Sequence, residues 1–211
     1  MRFLFDYISP YAYIAWSQIH ALAARHGRAV EPVPVLFAAM LNANDTRGPA
    51  EIPSKRLYTF MDVTRTATFL DIPLSPPPAH PFNPLLALRV TALPMPKETR
   101  KILIDRLFEA TWGDGPGVTD PDVVDRIAAE VGVVDAAQRA QDPAIKREIR
   151  DSTAQAIAEG VFGVPTILAD GEIFWGYDSF GHLDRFLGGT ARLDADALTR
   201  WVDLPATARR R

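Results

Sequence analysis

The chain has 211 residues, of which 47% are apolar and 23% are charged, and its formal net charge is −3. This length suits one domain, with or without a large insertion, and the composition excludes a disordered or fibrous protein. Acidic and basic residues are interspersed, which argues against a nucleic acid or an anionic lipid surface as partner. The sequence contains no cysteine, so its own side chains form no disulfide, thiolate metal site or thiol nucleophile.

The sequence shows no segment that targets a membrane or a secretory route. No apolar stretch is long enough to span a bilayer, and the N-terminus lacks the basic, apolar and small-residue regions of a signal peptide. We therefore expect a cytoplasmic protein without a membrane or nucleic-acid partner. A basic run at residues 209–211 closes a tail that begins near Pro205, and we expect this terminus to be solvated.

The first 37 residues predict a βαβ unit. The apolar run 3–7 reads as a short buried strand, and small and apolar residues recur on one helical face over residues 11–26, ahead of Gly27. Residues 30–36 read as a second strand, parallel to the first. Prolines at positions 32 and 34 cannot donate to a sheet ladder, so we expect this strand at the sheet edge.

The remainder of the chain predicts helices and then a hairpin. Asp170-Gly171 forms a tight-turn signal between strands 166–169 and 172–175, and Asp178 or Ser179 is expected to cap a final helix that ends near Leu187. We expect an α/β domain from residues 1–37 and 161–190, an all-helical insertion over 38–160 and a tail over 191–211. Within the insertion, helices are predicted over residues 54–69, 84–93, 97–112, 121–131 and 143–159.

Ser9-Pro10, between the first strand and the first helix, is the leading candidate for a reactive centre. Serine before a proline is favourable chemistry for starting a helix. The unpaired N–H groups at the same helix start also favour a bound anion or thiolate. The local pattern leaves both interpretations open, because the same device recurs at Asn83-Pro84, Asp120-Pro121 and Asp142-Pro143.

Other candidate motifs are weaker. Pro165, before the hairpin, is either an ordinary strand-start proline or part of a cis peptide that turns the backbone toward a ligand. The glycines of residues 113–117 lack the context of a phosphate-binding loop, and Ser179 does not lie in a hydrolase elbow. No metal site is expected, and surface or core roles are expected for all four histidines, His20, His26, His80 and His182.

Five segments together resemble one known family. FDYISPYAY near the start, GVFGVPT before the hairpin and FWGYD after it are similar to the kappa-class glutathione transferases, most closely their bacterial branch of 2-hydroxychromene-2-carboxylate isomerases. FAAMLNANDTRGPAEIPSKRLY and PFNPLLALR resemble the insertion of that family. The resemblance covers roughly residues 3–187. It implies a thioredoxin-like, DsbA-related α/β fold interrupted by the helical insertion, an enzyme and a homodimer.

The resemblance also implies glutathione as cofactor and a set of binding residues. Ser9 takes the catalytic position, where thiol oxidoreductases of this fold carry the first cysteine of C-x-x-C, so the sulfur must come from the cofactor. Lys55 is implied to meet a carboxylate of the tripeptide, and Asp178 its γ-glutamyl ammonium. Val164, before an implied cis-Pro165, is expected to pair its backbone with the cysteinyl part. The chain departs from the family at Thr46, where Asn is common, and at Ser179, where Arg is common.

The implied reaction converts 2-hydroxychromene-2-carboxylate, or a related intermediate of aromatic compound degradation, to trans-o-hydroxybenzylidenepyruvate through a thiolate adduct. Tyr11, Asn83 and Trp112 are the candidates for contacting the aromatic substrate, ahead of Trp16, Tyr58 and Phe82. Two alternatives stay open. One is a kappa-like transferase that forms stable conjugates, and the other is a non-catalytic thioredoxin-like binding module in which Ser9 only caps a helix.

Overall fold

A four-stranded mixed sheet of order β2-β1-β3-β4 lies at the centre of the protein, in a computed structural model that describes residues 1–191 and 193–205. Strand β1 pairs in parallel with β2 and antiparallel with β3, and β3 pairs antiparallel with β4. The predicted βαβ unit, the edge position of the proline-containing strand and the hairpin are confirmed. The strands are β1 Arg2–Phe5, β2 Glu31–Pro34, β3 Thr166–Ala169 and β4 Glu172–Trp175.

Helices fill the chain between β2 and β3 and follow β4. The five helices predicted for the insertion are present as α3, α4, α5, α6 and α8, with bounds shifted by at most one residue. Helices α2, α7 and α10 are additional to the prediction. In the described residues the helices are α1 Pro10–Arg25, α2 Phe37–Ala43, α3 Pro53–Leu70, α4 Leu85–Ala92, α5 Lys97–Trp112, α6 Pro121–Glu130, α7 Ala136–Arg139, α8 Pro143–Ala158, α9 Phe180–Leu187 and α10 Ala195–Val202.

The expected C-terminal tail is only partly described. It contains α10, whose start is capped by Asp194, whereas the basic run 209–211 lies outside the described residues. Within the described part of the chain, no helix combines the length and the apolar character needed to cross a bilayer.

Helix starts follow the predicted capping chemistry in three cases and depart from it in one. Ser9, Asp120 and Asp142 each accept a hydrogen bond from a backbone N–H in the first turn of the helix that follows. Ser179 occupies the N-cap position of α9, as predicted, but its side chain makes no capping hydrogen bond. A 3-10 turn, Tyr177–Ser179, runs directly into α9, and the Ser179 hydroxyl instead donates to the Gly176 carbonyl at 2.7 Å.

The sheet and the insertion share one hydrophobic core. The Tyr7 ring packs 4.7 Å from that of Phe108 on α5, and its hydroxyl pairs with Thr91 Oγ1 on α4 at 2.7 Å. Trp112, at the end of α5, donates its indole N–H to the Tyr7 carbonyl at 2.9 Å. The insertion therefore holds the segment after β1 from one side, two residues before Ser9.

Candidate active site

A cavity of about 590 Å³ opens at the N-terminus of α1. Its walls are the segment after β1, the loop before β3, helix α2 with the connection to α3, and the loop before α4. The volume lies in the usual range for small-molecule sites, roughly 300 to 1,000 Å³. Among the residues singled out in the sequence, the cavity brings together Ser9, Tyr11, Thr46, Phe82 and Val164.

Ser9 is 8% exposed and faces this cavity from the cap of α1. Its Oγ accepts from the Ala12 N–H at 3.2 Å. The hydroxyl donates to the Val164 carbonyl at 3.5 Å, which is the long limit of a hydrogen bond. The hydroxyl hydrogen is thus weakly held, at the positive end of a helix dipole. The arrangement suits an anionic atom such as a thiolate.

Asp6 holds the loop that carries Ser9. Its fully buried carboxylate accepts from the Ile8 N–H at 3.0 Å and from the Phe37 N–H, the first residue of α2, at 2.9 Å. Burial raises the pKa of Asp6 to about 7, although both backbone hydrogen bonds act to lower it. Sequence reasoning did not single out Asp6, although it lies inside FDYISPYAY. One carboxylate therefore fastens two walls of the cavity to each other.

The loop before β3 forms the second wall. The Val164-Pro165 peptide is cis, as the resemblance implied, and the Val164 N–H has no acceptor among the described residues. Gly163 lies so close to Trp175 that a Cβ there would be 2.8 Å from the indole nitrogen. The Phe162 and Trp175 rings, 4.9 Å apart, complete an aromatic rim.

The insertion supplies the third wall, which carries free positive charge. Arg47 and Arg56 both line the cavity and are exposed at its mouth. In the described part of the chain, neither guanidinium has a hydrogen-bond or ion-pair partner. Thr46 also lines the cavity and is exposed, with its hydroxyl donating to the Leu41 carbonyl at 3.5 Å. Lys55 is exposed in the first turn of α3 and lies outside the lining.

His80 is a cavity residue that sequence reasoning missed. Its Nε2 lies 3.0 Å from the Ile8 carbonyl, which can only accept, so Nε2 carries the hydrogen. Burial lowers the pKa of His80, which favours the neutral ring. The expectation of a surface or core role is corrected, since His80 lines the cavity. The available signal was its position directly before the segment PFNPLLALR.

Two of the three candidate substrate contacts lie elsewhere. Asn83 is exposed, and its Oδ1 accepts from the Leu85 N–H at the start of α4 at 3.0 Å. Trp112 is 1% exposed and belongs to the core. This placement corrects the expectation that either side chain lines the cavity. Tyr11 does line it, but its hydroxyl donates to Asp62 Oδ2 at 2.7 Å.

The remaining predicted positions flank the start of α9. Asp178 is exposed and Ser179 is half-buried, and both lie outside the cavity lining. Asp178 is nevertheless close enough to Tyr11 to contribute to its raised pKa, which results first from burial and next from Asp62. Among the less favoured aromatic residues, Trp16 is a core residue and Tyr58 is exposed on α3 outside the lining.

The sequence profile of the DsbA-like thioredoxin domain matches residues 1–188. The chain belongs to the DsbA-like thioredoxin family. In this family member a serine caps the helix after β1, and no cysteine is present in the chain. Among the described residues, no group of histidine, aspartate and glutamate side chains could hold a metal ion.

Relatives of this DsbA-like protein include two groups of enzymes. The chain is 29% identical to the 2-hydroxychromene-2-carboxylate isomerase of Sphingobium xenophagum, over 88% of this chain and 96% of that protein. It is 27% identical to glutathione S-transferase kappa 1 of Caenorhabditis elegans, over 96% and 92% of the two chains. A solved 2-hydroxychromene-2-carboxylate isomerase shares the fold, with a TM-score of 0.78 at 23% identity over 97% and 98% of the chains.

The cavity of this DsbA-like domain presents donors for an anionic atom, for an extended peptide and for a carboxylate. The weakly held Ser9 hydroxyl can donate to a sulfur atom, and the free Val164 N–H offers an extended peptide one pairing site. The Arg47 guanidinium, which has no hydrogen-bond or ion-pair partner among the described residues, suits a carboxylate at the mouth.

Proposed function

We propose that this protein is a glutathione-dependent isomerase. The substrate is 2-hydroxychromene-2-carboxylate or a related intermediate of aromatic catabolism, and the product is trans-o-hydroxybenzylidenepyruvate. The observation that carries the proposal is Ser9, a helix-capping serine with a weakly held hydroxyl that faces a cavity in a chain without cysteine. Similarity to a named isomerase over 88% of the chain supports the choice of reaction.

Ser9 and the start of α1 act on the thiol. A helix N-terminus stabilises a nearby negative charge by about 0.3 to 2 kcal/mol, and a hydrogen bond to a charged group contributes about 1.5 to 3 kcal/mol. After desolvation, roughly 1.4 to 4 kcal/mol remains, which favours the ionised form about 10- to 1,000-fold. Glutathione, when bound, supplies the nucleophilic thiolate that the polypeptide lacks.

The peptide part of the cofactor follows the loop before β3. In this proposal the Val164 N–H donates to the cysteinyl carbonyl, next to the cis-Pro165. Asp178 receives the γ-glutamyl ammonium, with Ser179 beside it, at the start of α9. On the opposite wall Lys55 attracts the glycyl carboxylate, and Thr46 lies at the mouth between α2 and α3.

Apolar rings of the cavity hold the aromatic substrate and exclude water. Phe60 and Phe82 come from the insertion, and Phe37 comes from α2. An apolar wall strengthens the electrostatic interactions inside the cavity, including the hydrogen bond from Ser9, because it lowers the local dielectric constant.

Ultraviolet spectroscopy tests the reaction. The purified protein is incubated with 2-hydroxychromene-2-carboxylate with and without glutathione, and the approach to equilibrium with the benzylidenepyruvate is followed. We expect acceleration only when glutathione is present, with no net consumption of the thiol. No spectral change in either mixture would overturn the proposal.

A kappa-like transferase is the second candidate, because a kappa-class relative aligns over 96% of this chain. Mass spectrometry separates the two activities. A transferase adds the mass of glutathione to an electrophilic substrate permanently, whereas an isomerase returns the thiol unchanged. A non-catalytic module has neither activity, and calorimetry would find no affinity for glutathione.

The homodimer and the cytoplasmic location are parts of the same proposal. The homodimer is expected from the resemblance to the kappa-class family, and each of the two expectations has a direct test. Light scattering on the purified protein gives the molecular mass of the particle, for which twice the 23.3 kDa of one chain is expected. Cell fractionation is expected to recover the protein with the cytosolic marker.

A further inference from the structure

The end of the cavity formed by the insertion is lined by three rings. Phe60, His80 and Phe82 form what we call the aromatic cage. The Phe60 and His80 ring centroids are 5.2 Å apart with the planes at 74°, and those of His80 and Phe82 are 6.2 Å apart with the planes at 69°. Edge-to-face rings of this kind leave apolar faces against which a planar ligand can pack.

The guanidinium of Arg56 lies beside this cage. The Arg56 guanidinium is 5.9 Å from the centroid of Phe60 and lines the same cavity. Its positive charge reaches His80, whose pKa it helps to lower after the larger effect of burial. The acidic residue of the lining, Glu51, accepts from the Gly48 N–H at 2.6 Å, and Arg56 makes no ion pair with it or with another described residue. Arg56 is therefore available to an anion from outside the chain.

We propose that Arg56 binds the carboxylate of the second substrate while the aromatic cage holds its ring, so that the site selects planar aromatic carboxylates over neutral aromatic compounds. A guanidinium matches a carboxylate with two parallel hydrogen bonds and packs on a ring face at the same time. This inference rests on the proposed function, in which glutathione occupies the Ser9 end.

Arg47 and His80 do not take this role. Arg47 belongs to the segment between α2 and α3 and contacts none of the aromatic rings in the described part of the chain, whereas Arg56 projects from α3 over Phe60. The neutral His80 ring donates its only N–H to the Ile8 carbonyl, so it has no hydrogen to donate to a carboxylate. Of the basic groups in the lining, Arg56 alone is placed against the cage.

A pair of probes that differ only in charge tests the subsite without requiring turnover. Calorimetry measures binding of trans-cinnamate and of neutral cinnamamide to the glutathione-loaded protein. We expect the intact protein to bind cinnamate about tenfold more tightly than cinnamamide. This is the low end of the range for a hydrogen bond to a charged group, because Arg56 is exposed and solvent weakens the interaction. Arg56→Gln is expected to abolish the preference, and Arg56→Lys is expected to restore it only in part.

Arg65→Gln is the matched control, because Arg65 lies on the same helix, is exposed and is outside the cavity lining. The affinity for glutathione, measured in all variants, is expected to be unchanged. The inference would be overturned if Arg56→Gln bound cinnamate as tightly as the intact protein does. It would also be overturned if Arg56→Gln lost as much affinity for glutathione as for cinnamate. A cinnamate preference that depends on Arg56 in a protein without isomerase activity would refute the proposed reaction and leave the subsite standing.

Discussion

The two walls that face each other across the cavity differ in how their functional groups are held. On the sheet side, Ser9 and Val164 are buried, and Asp6 fastens the loop that carries Ser9 by accepting from two backbone N–H groups. On the insertion side, Arg47 and Arg56 are exposed, and neither has a hydrogen-bond or ion-pair partner among the described residues. One wall is fixed by the backbone, and the other is an array of free side chains.

This difference separates two tasks. A fixed wall suits a reactive atom that must be met in one geometry, whereas free side chains on an inserted segment suit a substrate that varies. The walls are nevertheless joined. Asp6 bonds to the first residue of α2, and His80 bonds to the carbonyl of Ile8, directly before Ser9. A change on one wall can therefore be transmitted to the other.

Removal of the Ser9 hydroxyl is the largest expected perturbation of the fixed wall. Ser9→Ala is expected to lower kcat about 10- to 150-fold, the range for a hydrogen bond to a charged group. It also removes the cap of α1, which is expected to lower the unfolding free energy by about 0.5 to 2 kcal/mol. Steady-state kinetics and urea unfolding measure the two effects.

Asp142→Ala is the matched control for capping. Asp142 caps α8 by accepting from the Ala144 N–H at 2.7 Å and lies outside the cavity lining. This variant is expected to lose similar stability with kcat unchanged. Retained turnover in Ser9→Ala, with stability lost, would leave Ser9 with only its capping role.

The Asp6 carboxyl, which links the two walls, makes the stability of the protein depend on pH. The folded protein holds the Asp6 proton up to about pH 7, whereas the unfolded chain releases it near 3.8. Because the folded state binds more protons in this window, the unfolding free energy falls as pH rises from about 4 to about 7 and is level above it. The contribution is on the order of a few kcal/mol.

Asp6→Asn is expected to remove this dependence. Urea unfolding of both proteins at about pH 5 and about pH 8 gives the measurement. The difference between the proteins isolates Asp6, because His20 and His80, whose pKa values are lowered by burial, titrate in both. A parallel pH dependence in the two proteins would mean that the Asp6 carboxyl is already ionised well below pH 7.

The fixed wall was largely predictable from sequence, because its signals are local. Ser9-Pro10 lies between two periodic segments, and Asp170-Gly171 marks the hairpin that follows Val164. The prediction of a cis peptide before Pro165 needed the family resemblance in addition, and the structure confirms it.

The free wall was not predictable in the same way, because distant contacts create it. Helix α2 has only seven residues and no side-chain cap, and the first N–H of the helix is bound by Asp6, 31 residues away in sequence. His80 joins the cavity through Ile8, 72 residues away. Helix propensity is a local property of each residue and therefore predicts neither of these long-range contacts. Arg56 follows Lys55 directly in sequence, but α3 packs so that Arg56 lines the cavity and Lys55 does not.

The close approach of Gly163 to Trp175 gives a smaller test of the fixed wall. In Gly163→Ala the added Cβ meets the indole nitrogen at 2.8 Å, so the indole must shift. The shift of the indole disturbs the aromatic rim near Val164. Overpacking costs about 1 to 3 kcal/mol of unfolding free energy in a rigid core, but Trp175 is exposed, so movement of its ring relieves most of this cost. We expect the Kd for glutathione to rise about fivefold by calorimetry. Gly181→Ala, where a Cβ meets nothing within 4 Å, is the control and should bind like the intact protein.

Lys55 on the free wall gives the smallest expected effect. Lys55→Ala is expected to weaken glutathione binding only about two- to threefold, because an exposed ion pair contributes about 0 to 1 kcal/mol. The residue lies in solvent outside the cavity lining, so calorimetry at about 1 M salt should remove most of the difference from the intact protein. A loss of tenfold or more that persists in salt would show that Lys55 folds into the mouth when glutathione binds. The insertion wall would then be ordered by the cofactor, and the contrast between a fixed and a free wall would hold only for the ligand-free protein.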